Sequence, residues 1–472
     1  MPYEGEFASK AAHYDIIKNS DVRQFLQECE YLKMPSEEEE RSIKAQFQSI
    51  LETESTVLPE QIIAVDGSLY EASIDEYLPS TKVGYVKLGS VLIDMTQFGN
   101  LRVNNGRYVD PFRMAELQSN NDPLTFSLPS ANIRWNGKKT VRDSFRAAVD
   151  HALYGLKTRF RENDPSTSLR TTLFHLAAQR SGELGTGNPR WLKIHKCPKC
   201  EKGPVLVEDV PTQQYCSLCK AEVYPSDCLR IWEEVAEYQS NSSALSRFML
   251  TVEHMLPIHY IRYLAENSFA LLGSLAFFID GPLALFGPPA WLHSSIMKYI
   301  CEVNTTLKKG NLPSLIIIGL QKTGQIVDHV HLINRFKSKN SIPKNSIFAL
   351  NDEYRYQYIC TGREQATNGF GAETYYGQDF IYNTPSNRKF VFALPYPFTN
   401  KSFVNDFKRE KTILEHYAEL PRVLALIHHF ETDLYRSAVI PIALAHKYTA
   451  ISLAPGGRVL DLLTRKSLQI KS

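Results

Sequence analysis

The sequence predicts an α/β protein in which a mixed central sheet is flanked by helices and carries a small inserted zinc ribbon. Three observations predict it. Two runs, SLAFFIDG (Ser274–Gly281) and SLIIIGLQK (Ser314–Lys322), are apolar almost without interruption, as strands buried on both faces of a helix-covered sheet are. Other stretches carry apolar residues at helical spacing, such as Val141, Phe145, Ala148, Val149 and Ala152. Finally, four of the eight cysteines fall in two CxxC pairs.

Composition narrows the class. The 472 residues suffice for about three average domains or one enlarged domain with insertions. Hydrophobic residues make up 43% and charged residues 22%, which excludes a disordered or fibrous chain. Lys and Arg number 53 against 51 Asp and Glu, a net charge of +2, so any nucleic-acid surface must be local. The N-terminal stretch lacks a basic segment followed by an apolar one and does not read as a secretory signal. The most apolar stretch, Phe269–Leu285, is broken by Asp280, Gly281 and Pro282 and falls short of the roughly 20 apolar residues of a membrane span. A soluble, cytoplasmic chain without membrane contact is expected, where paired cysteines suggest metal rather than disulfide.

Taken in order, residues 1–56 read as helical, with Ser36 capping an acidic first turn in SEEEER. QIIAVDGS (Gln61–Ser68) reads as a buried strand meeting a turn at Asp66-Gly67, and Val83–Met95 as a second strand rich in β-branched residues. A long helical region spans about Lys138–Arg180. Residues 190–230 form a compositional island. Helical pattern resumes at Ile231 and continues through Phe248, Met249, Val252, Met255, Leu256, Ile258 and Ile261. After the two apolar strands, TYYGQDFIY (374–382) reads as an aromatic loop, KFVFALPYP as a strand and PIALAHKYTAIS as a closing helix.

Within the island, Cys197 and Cys200 precede Cys216 and Cys219 by fifteen intervening residues. Two such knuckles can surround a tetrahedral zinc with four thiolates. Cys228 and His195 are then surplus, and Cys29, Cys301 and Cys360 read as core thiols.

Asp66 and Asp280 each close a very apolar run and are each followed by glycine (DGS, DGP). A strand end aims a carboxylate out of the sheet edge, and glycine lets chain or ligand pass close by. Two such carboxylates, with a third from a helix, would hold hard divalent cations of the kind phosphodiester hydrolysis uses. An isolated Asp-Gly, by contrast, simply makes a turn.

These segments resemble the NurA nucleases: strand-DGS (Ile62–Ser68), strand-DGPLALFG (Phe277–Gly287), GLQK (Gly319–Lys322), TYYGQDFIY and PIALAH (Pro441–His446), in that order between residues 60 and 455. The resemblance implies an RNase H-like fold and a nuclease acting on DNA with catalytic Mn2+ (or Mg2+), working as a homodimer with the hexameric HerA ATPase in DNA-end processing or anti-phage defence. The chain then divides into an N-terminal helical region at 1–56, a nuclease core split into 57–189 and 231–472, and the zinc ribbon at 190–230. The resemblance carries metal-binding roles onto Asp66, Asp280 and a helical glutamate, for which Glu253 and Glu266 compete. Glu253 is favoured by its apolar surroundings, where a carboxylate is costly without a cation or partner. His446 matches the family's histidine and would ligate metal or position water or phosphate. The family's tyrosine eight residues earlier is replaced by Ala438; Tyr435 is out of register, and Tyr375 or Tyr376 could substitute only through the fold.

A local basic run, Arg134, Lys138, Lys139, Arg142, Arg146, Lys157, Arg159 and Arg161, surrounds Trp135, and Arg142 and Arg146 share a helix face that could track phosphates. Lys322 could contact a scissile phosphate or be an exposed strand-end lysine. No GxxxxGK[ST] phosphate loop occurs, so ATP hydrolysis would come from the partner. The alternatives are a non-catalytic DNA-binding or assembly subunit that keeps the fold, and another RNase H-like enzyme such as an Argonaute-type nuclease.

Overall fold

The structure is a computed structural model that describes residues 13–29, 34–50, 56–75, 77–100, 102–103, 108–109, 123–404, 406–432, 437–451 and 456–469. Nine strands of the described residues share one sheet: β1 (Gln48–Ser49), β2 (Gln61–Ser73), β3 (Lys82–Asp94), β4 (Leu124–Pro129), β5 (Leu275–Asp280), β6 (Ile316–Gln321), β7 (Ser346–Ala349), β8 (Gly377–Asn383) and β9 (Lys389–Pro395). Their spatial order is β1-β7-β8-β9-β6-β5-β2-β3-β4. β5 runs parallel to both β2 and β6, and the other neighbours are antiparallel. The stretch β4-β3-β2-β5-β6 forms the expected RNase H-like core, and β9, β8, β7 and β1 widen it beyond β6.

The main helices are α1 (Glu37–Ala45), α2 (Val141–Tyr154), α3 (Leu169–Ala178), α4 (Ser242–Asn267), α5 (Leu292–Lys309), α6 (Gln325–Ile333), α7 (Leu420–Phe430), α8 (Ile440–Thr449) and α9 (Gly456–Gln469). Alternation along the strands sends side chains to two cores. Ile63, Val65, Phe277 and Ile279 pack under α2–α5, while Ile62, Ala64, Ala276 and Phe278 pack under α7 and α8. A third cluster joins α1 and α6 to β7–β9. The expected cap of α1 is present: Glu39 N–H donates to Ser36 Oγ, and Ser36 N–H to the Glu39 carboxylate.

Three expectations are corrected. β2 does not end at Asp66: it pairs with β3 from Gln61 to Ser73, so Gly67 is a strand residue facing Leu88. Its small size has another cause, because a Cβ there would lie 2.8 Å from Met249 Cγ on α4. Residues 138–180 form two helices, α2 and α3, separated by residues 155–168. TYYGQDFIY is mostly the buried strand β8, not a loop. Its polar residues are satisfied inside the core, with Asp379 accepting from Arg355 and Gln321 and Gln378 donating to Leu350 O.

Candidate active site

β5 pairs with β2 only as far as Ile279 opposite Val65, so the parallel part of the sheet stops just short of Asp66 while the β2–β3 hairpin continues. Asp66 and Asp280 therefore meet at a rim. Gly281, at φ +100, turns the chain away immediately and donates its N–H to Leu320 O at 2.8 Å. α8 crosses this rim, packing on β2 and β3, and brings His446 Nδ1 within 2.9 Å of Asp66 Oδ2. Gly67 N–H donates to the other Asp66 oxygen at 2.7 Å. Lys322, one residue past β6, lies 2.7 Å from Asp280 Oδ2 and 3.8 Å from Asp66 Oδ2. Ligand atoms of Asp66, Asp280 and His446 all fall within 4.8 Å of one another.

Glu253 stands apart from that trio, on α4 at the opposite face of the sheet. It is buried, and its Oε1 has no hydrogen-bond partner. Burial first, and then the charges of Asp66 and Asp280, push its carboxyl well above the usual range, with Lys322 opposing. Burial also raises Asp66, and Asp280 adds to it, against the pull of Lys322, His446 and the Gly67 N–H. Lys322 thus serves both rim aspartates, and Glu253 is a third acid set behind them. An excess of buried acid with an orphaned oxygen fits a divalent cation with hard oxygen and imidazole donors. Beside Glu253, burial keeps His254 neutral, lowered to about 4, and its Nδ1 is 2.7 Å from the Tyr376 hydroxyl. This His254–Tyr376 support was missed in the sequence, although His254 directly follows the favoured glutamate.

The competing Glu266 pairs with Arg262 on the exposed last turns of α4. It is thirteen residues from Glu253, about 20 Å along a helix. Arg146 departs from expectation. Its guanidinium is buried, bonded to Asp227, Asp143 and Glu222 O, and ties α2 to the chain leaving the ribbon, so it is not a surface phosphate contact. Arg142 stays near the surface but donates to Val235 O. Ala438 is buried, Tyr376 is committed to His254, and Tyr435 lies outside the described residues.

The four island cysteines converge as well. Cys197 and Cys219 sulfurs are 3.7 Å apart, and Cys200 and Cys216 sulfurs 3.9 Å. A tetrahedral zinc with Zn–S bonds of ~2.3 Å requires edges of ~3.8 Å, so the set fits a zinc ion. The two knuckles repeat one backbone design. Glu201 N–H and Lys220 N–H return to Cys197 O and Cys216 O at 2.9 and 3.0 Å, and both residues adopt φ +57. N–H groups of Cys219 and Leu218 hold the Cys216 thiol down at about 6, whereas burial pushes Cys197 up to about 11, so the sulfur geometry rather than the thiol acidity carries the zinc reading. Cys228 is buried outside this set.

Fold and site together define an α/β protein with a carboxylate–histidine cluster at a sheet rim and a separate four-cysteine ribbon. The NurA domain family model matches residues 60–451, and the chain belongs to this nuclease family. No curated relative matches it. Among the described residues no helix is long and apolar enough to cross a membrane.

Proposed function

We propose that the protein is a metal-dependent deoxyribonuclease that hydrolyses phosphodiester bonds, serving DNA-end processing or anti-phage defence as a homodimer beside a HerA-type hexameric ATPase. The reading is carried by the convergence of Asp66, Asp280 and His446 at one rim, with Glu253 buried behind them, in a NurA chain. Asp66, Asp280 and Glu253 would hold Mn2+ or Mg2+, and the ribbon cysteines a structural Zn2+. A bound divalent ion supplies an acidified water and neutralises charge on the leaving oxygen.

The remaining work belongs to the chain's own groups. Gly67 N–H and His446 fix the Asp66 carboxylate in one orientation. Because Nδ1 of His446 is engaged by Asp66, its Nε2 is the nitrogen left to take or give a proton at the exposed side of the site. Lys322 sets a positive charge between the two aspartates, where a phosphate's charge must be met.

The test is cleavage of labelled single- and double-stranded DNA with Mn2+, Mg2+ or EDTA, comparing wild type with Asp66→Asn and Asp280→Asn. Metal-dependent cutting lost in both variants supports the reading, and undiminished cutting in both refutes the site. Buried Ala438, in the place of the family tyrosine, favours the second reading of a DNA-binding subunit without catalysis. Tight DNA binding with no cutting under any metal would establish that one.

A further inference from the structure

Beyond β6, the same rim carries a second feature that the metal cluster does not use. A cleft of about 570 Å3 opens between α6 with its following turn, the β8–β9 hairpin and Ser437 just before α8. Its charged lining is basic only: His331, Arg335, Arg388 and Lys389, with no carboxylate among the described residues that form it. Among the described residues, two acids near in sequence are otherwise placed, and Arg388 is itself engaged by a partner. Asp328 lies one turn earlier on α6, outside the lining, and Glu431 is engaged by His428 and Thr384. Lys389 is half-buried, and burial holds its ammonium below the usual range. A partly desolvated cation of this kind gains by meeting an anion.

Three routes connect the cleft to the metal cluster. β9 adjoins β6 with Val391 opposite Gln321, so Lys389 projects past the rim that carries Lys322. Two strand spacings, about 10 Å, separate β9 from β5 and Asp280. α6 starts three residues after Lys322, and its run from Gln325 to His331 covers about 10 Å. α8 leads from the cleft at Ser437 to His446 on Asp66, again about 10 Å over Ile440–His446. On the other flank stands Lys87. It lies opposite Ser68, two residues outward from Asp66, and donates to Tyr448 O. Along the rim, cations of β3 and β9 thus bracket the aspartates of β2 and β5.

We propose that this cleft binds backbone phosphates of the substrate strand on one side of the cleaved bond. The proposal rests on the nuclease reading for its substrate. At an axial rise of about 3.4 Å per nucleotide in a helical strand, the separation of about 10 Å or more puts the cleft at least about three nucleotides from the metal cluster. It takes phosphate through Arg335 and Lys389 and reads no base, since phosphate contacts position a strand without specifying sequence.

The test is fluorescence anisotropy of labelled single-stranded oligonucleotides against salt, using Asp66→Asn protein to prevent cutting, with and without Arg335→Gln plus Lys389→Gln. Two lost contacts lower the slope of log K against log salt by about 1.4, which is about 25-fold in affinity near 0.1 M salt. Lys389→Arg restores its share. Lys309→Gln, at the far end of the sheet, leaves the slope unchanged. Unaltered slope and affinity in the double variant, with an unaltered melting temperature, overturn the proposal. The two readings fail separately: DNA binding with this slope change but no cutting by wild type refutes the nuclease and keeps the cleft. Cutting with an unchanged slope does the reverse, and absence of DNA binding refutes both.

Discussion

Asp66→Asn separates the site's effect on metal from its effect on folding. The substitution keeps the shape and an acceptor for the Gly67 N–H, but removes one of the two aspartate charges that meet at the rim. At an effective dielectric constant near 20, unit charges about 4 Å apart interact by about 4 kcal/mol, so losing this charge should weaken metal affinity by roughly a thousandfold. Metal-free stability should respond in the opposite sense. Burial and Asp280 raise the Asp66 carboxyl in the folded state, so ionising it opposes folding, and the stability present at low pH is lost as pH climbs past the unfolded value. At pH 8 in EDTA the variant should therefore melt at or above wild type. With Mn2+ at about 100 times its dissociation constant, wild type gains about 2.7 kcal/mol, a shift of a few degrees, and the variant gains none. Calorimetric melts with and without metal, read beside DNA cleavage, check both halves. The reasoning is refuted if Asp66→Asn keeps the metal-induced shift, or if it melts well below wild type in EDTA.

Other predictions follow from neighbouring residues. Because burial, and then the charges of two aspartates, raise the Glu253 carboxyl well above the usual range, a bound cation competes with its proton. Metal affinity should rise with pH above the ordinary carboxylate range, with proton release seen by titration calorimetry in two buffers; a flat profile would count against it. Gly67→Ala drives a methyl against Met249, one helical turn before Glu253. It should destabilise the fold by about 1–3 kcal/mol in denaturant melts and lower cleavage further than stability alone explains. Zinc analysis in reducing buffer should give one ion per chain, falling to near zero in Cys216→Ser. Arg146→Leu leaves buried Asp227 without its partner and should cost about 3–5 kcal/mol, whereas Arg142→Gln should stay within about 0.5 kcal/mol.

Much of the site was legible because its residues break local rules. Asp280 ends an apolar run and so stood out by itself, whereas Glu253 was singled out once the family resemblance called for a helical glutamate and its apolar surroundings favoured it over Glu266. A helix-covered central sheet followed from strands buried on both faces, and the resemblance made it RNase H-like. What escaped depended on distant partners. Gly67 has the spelling of a turn, but its smallness answers to Met249 on a helix far along the chain. Polar residues made TYYGQDFIY look like a loop, yet Asp379 is neutralised by Arg355 from another element. Arg146 looked like one of several surface cations because its partner, Asp227, comes 81 residues later. The basic cleft was invisible for the same reason, since its cations come from two separate segments, each unremarkable in isolation.

The pairing of Asp66 with His446 spans 380 residues. During synthesis the acidic strand emerges early, the ribbon and Asp280 follow, and α8 comes only after most of the sheet. A chain still on the ribosome can fold its first hairpin and load its ribbon while the rim lacks its imidazole. A chain that ends before residue 446 would carry both aspartates of the rim without the imidazole that holds one of them in place.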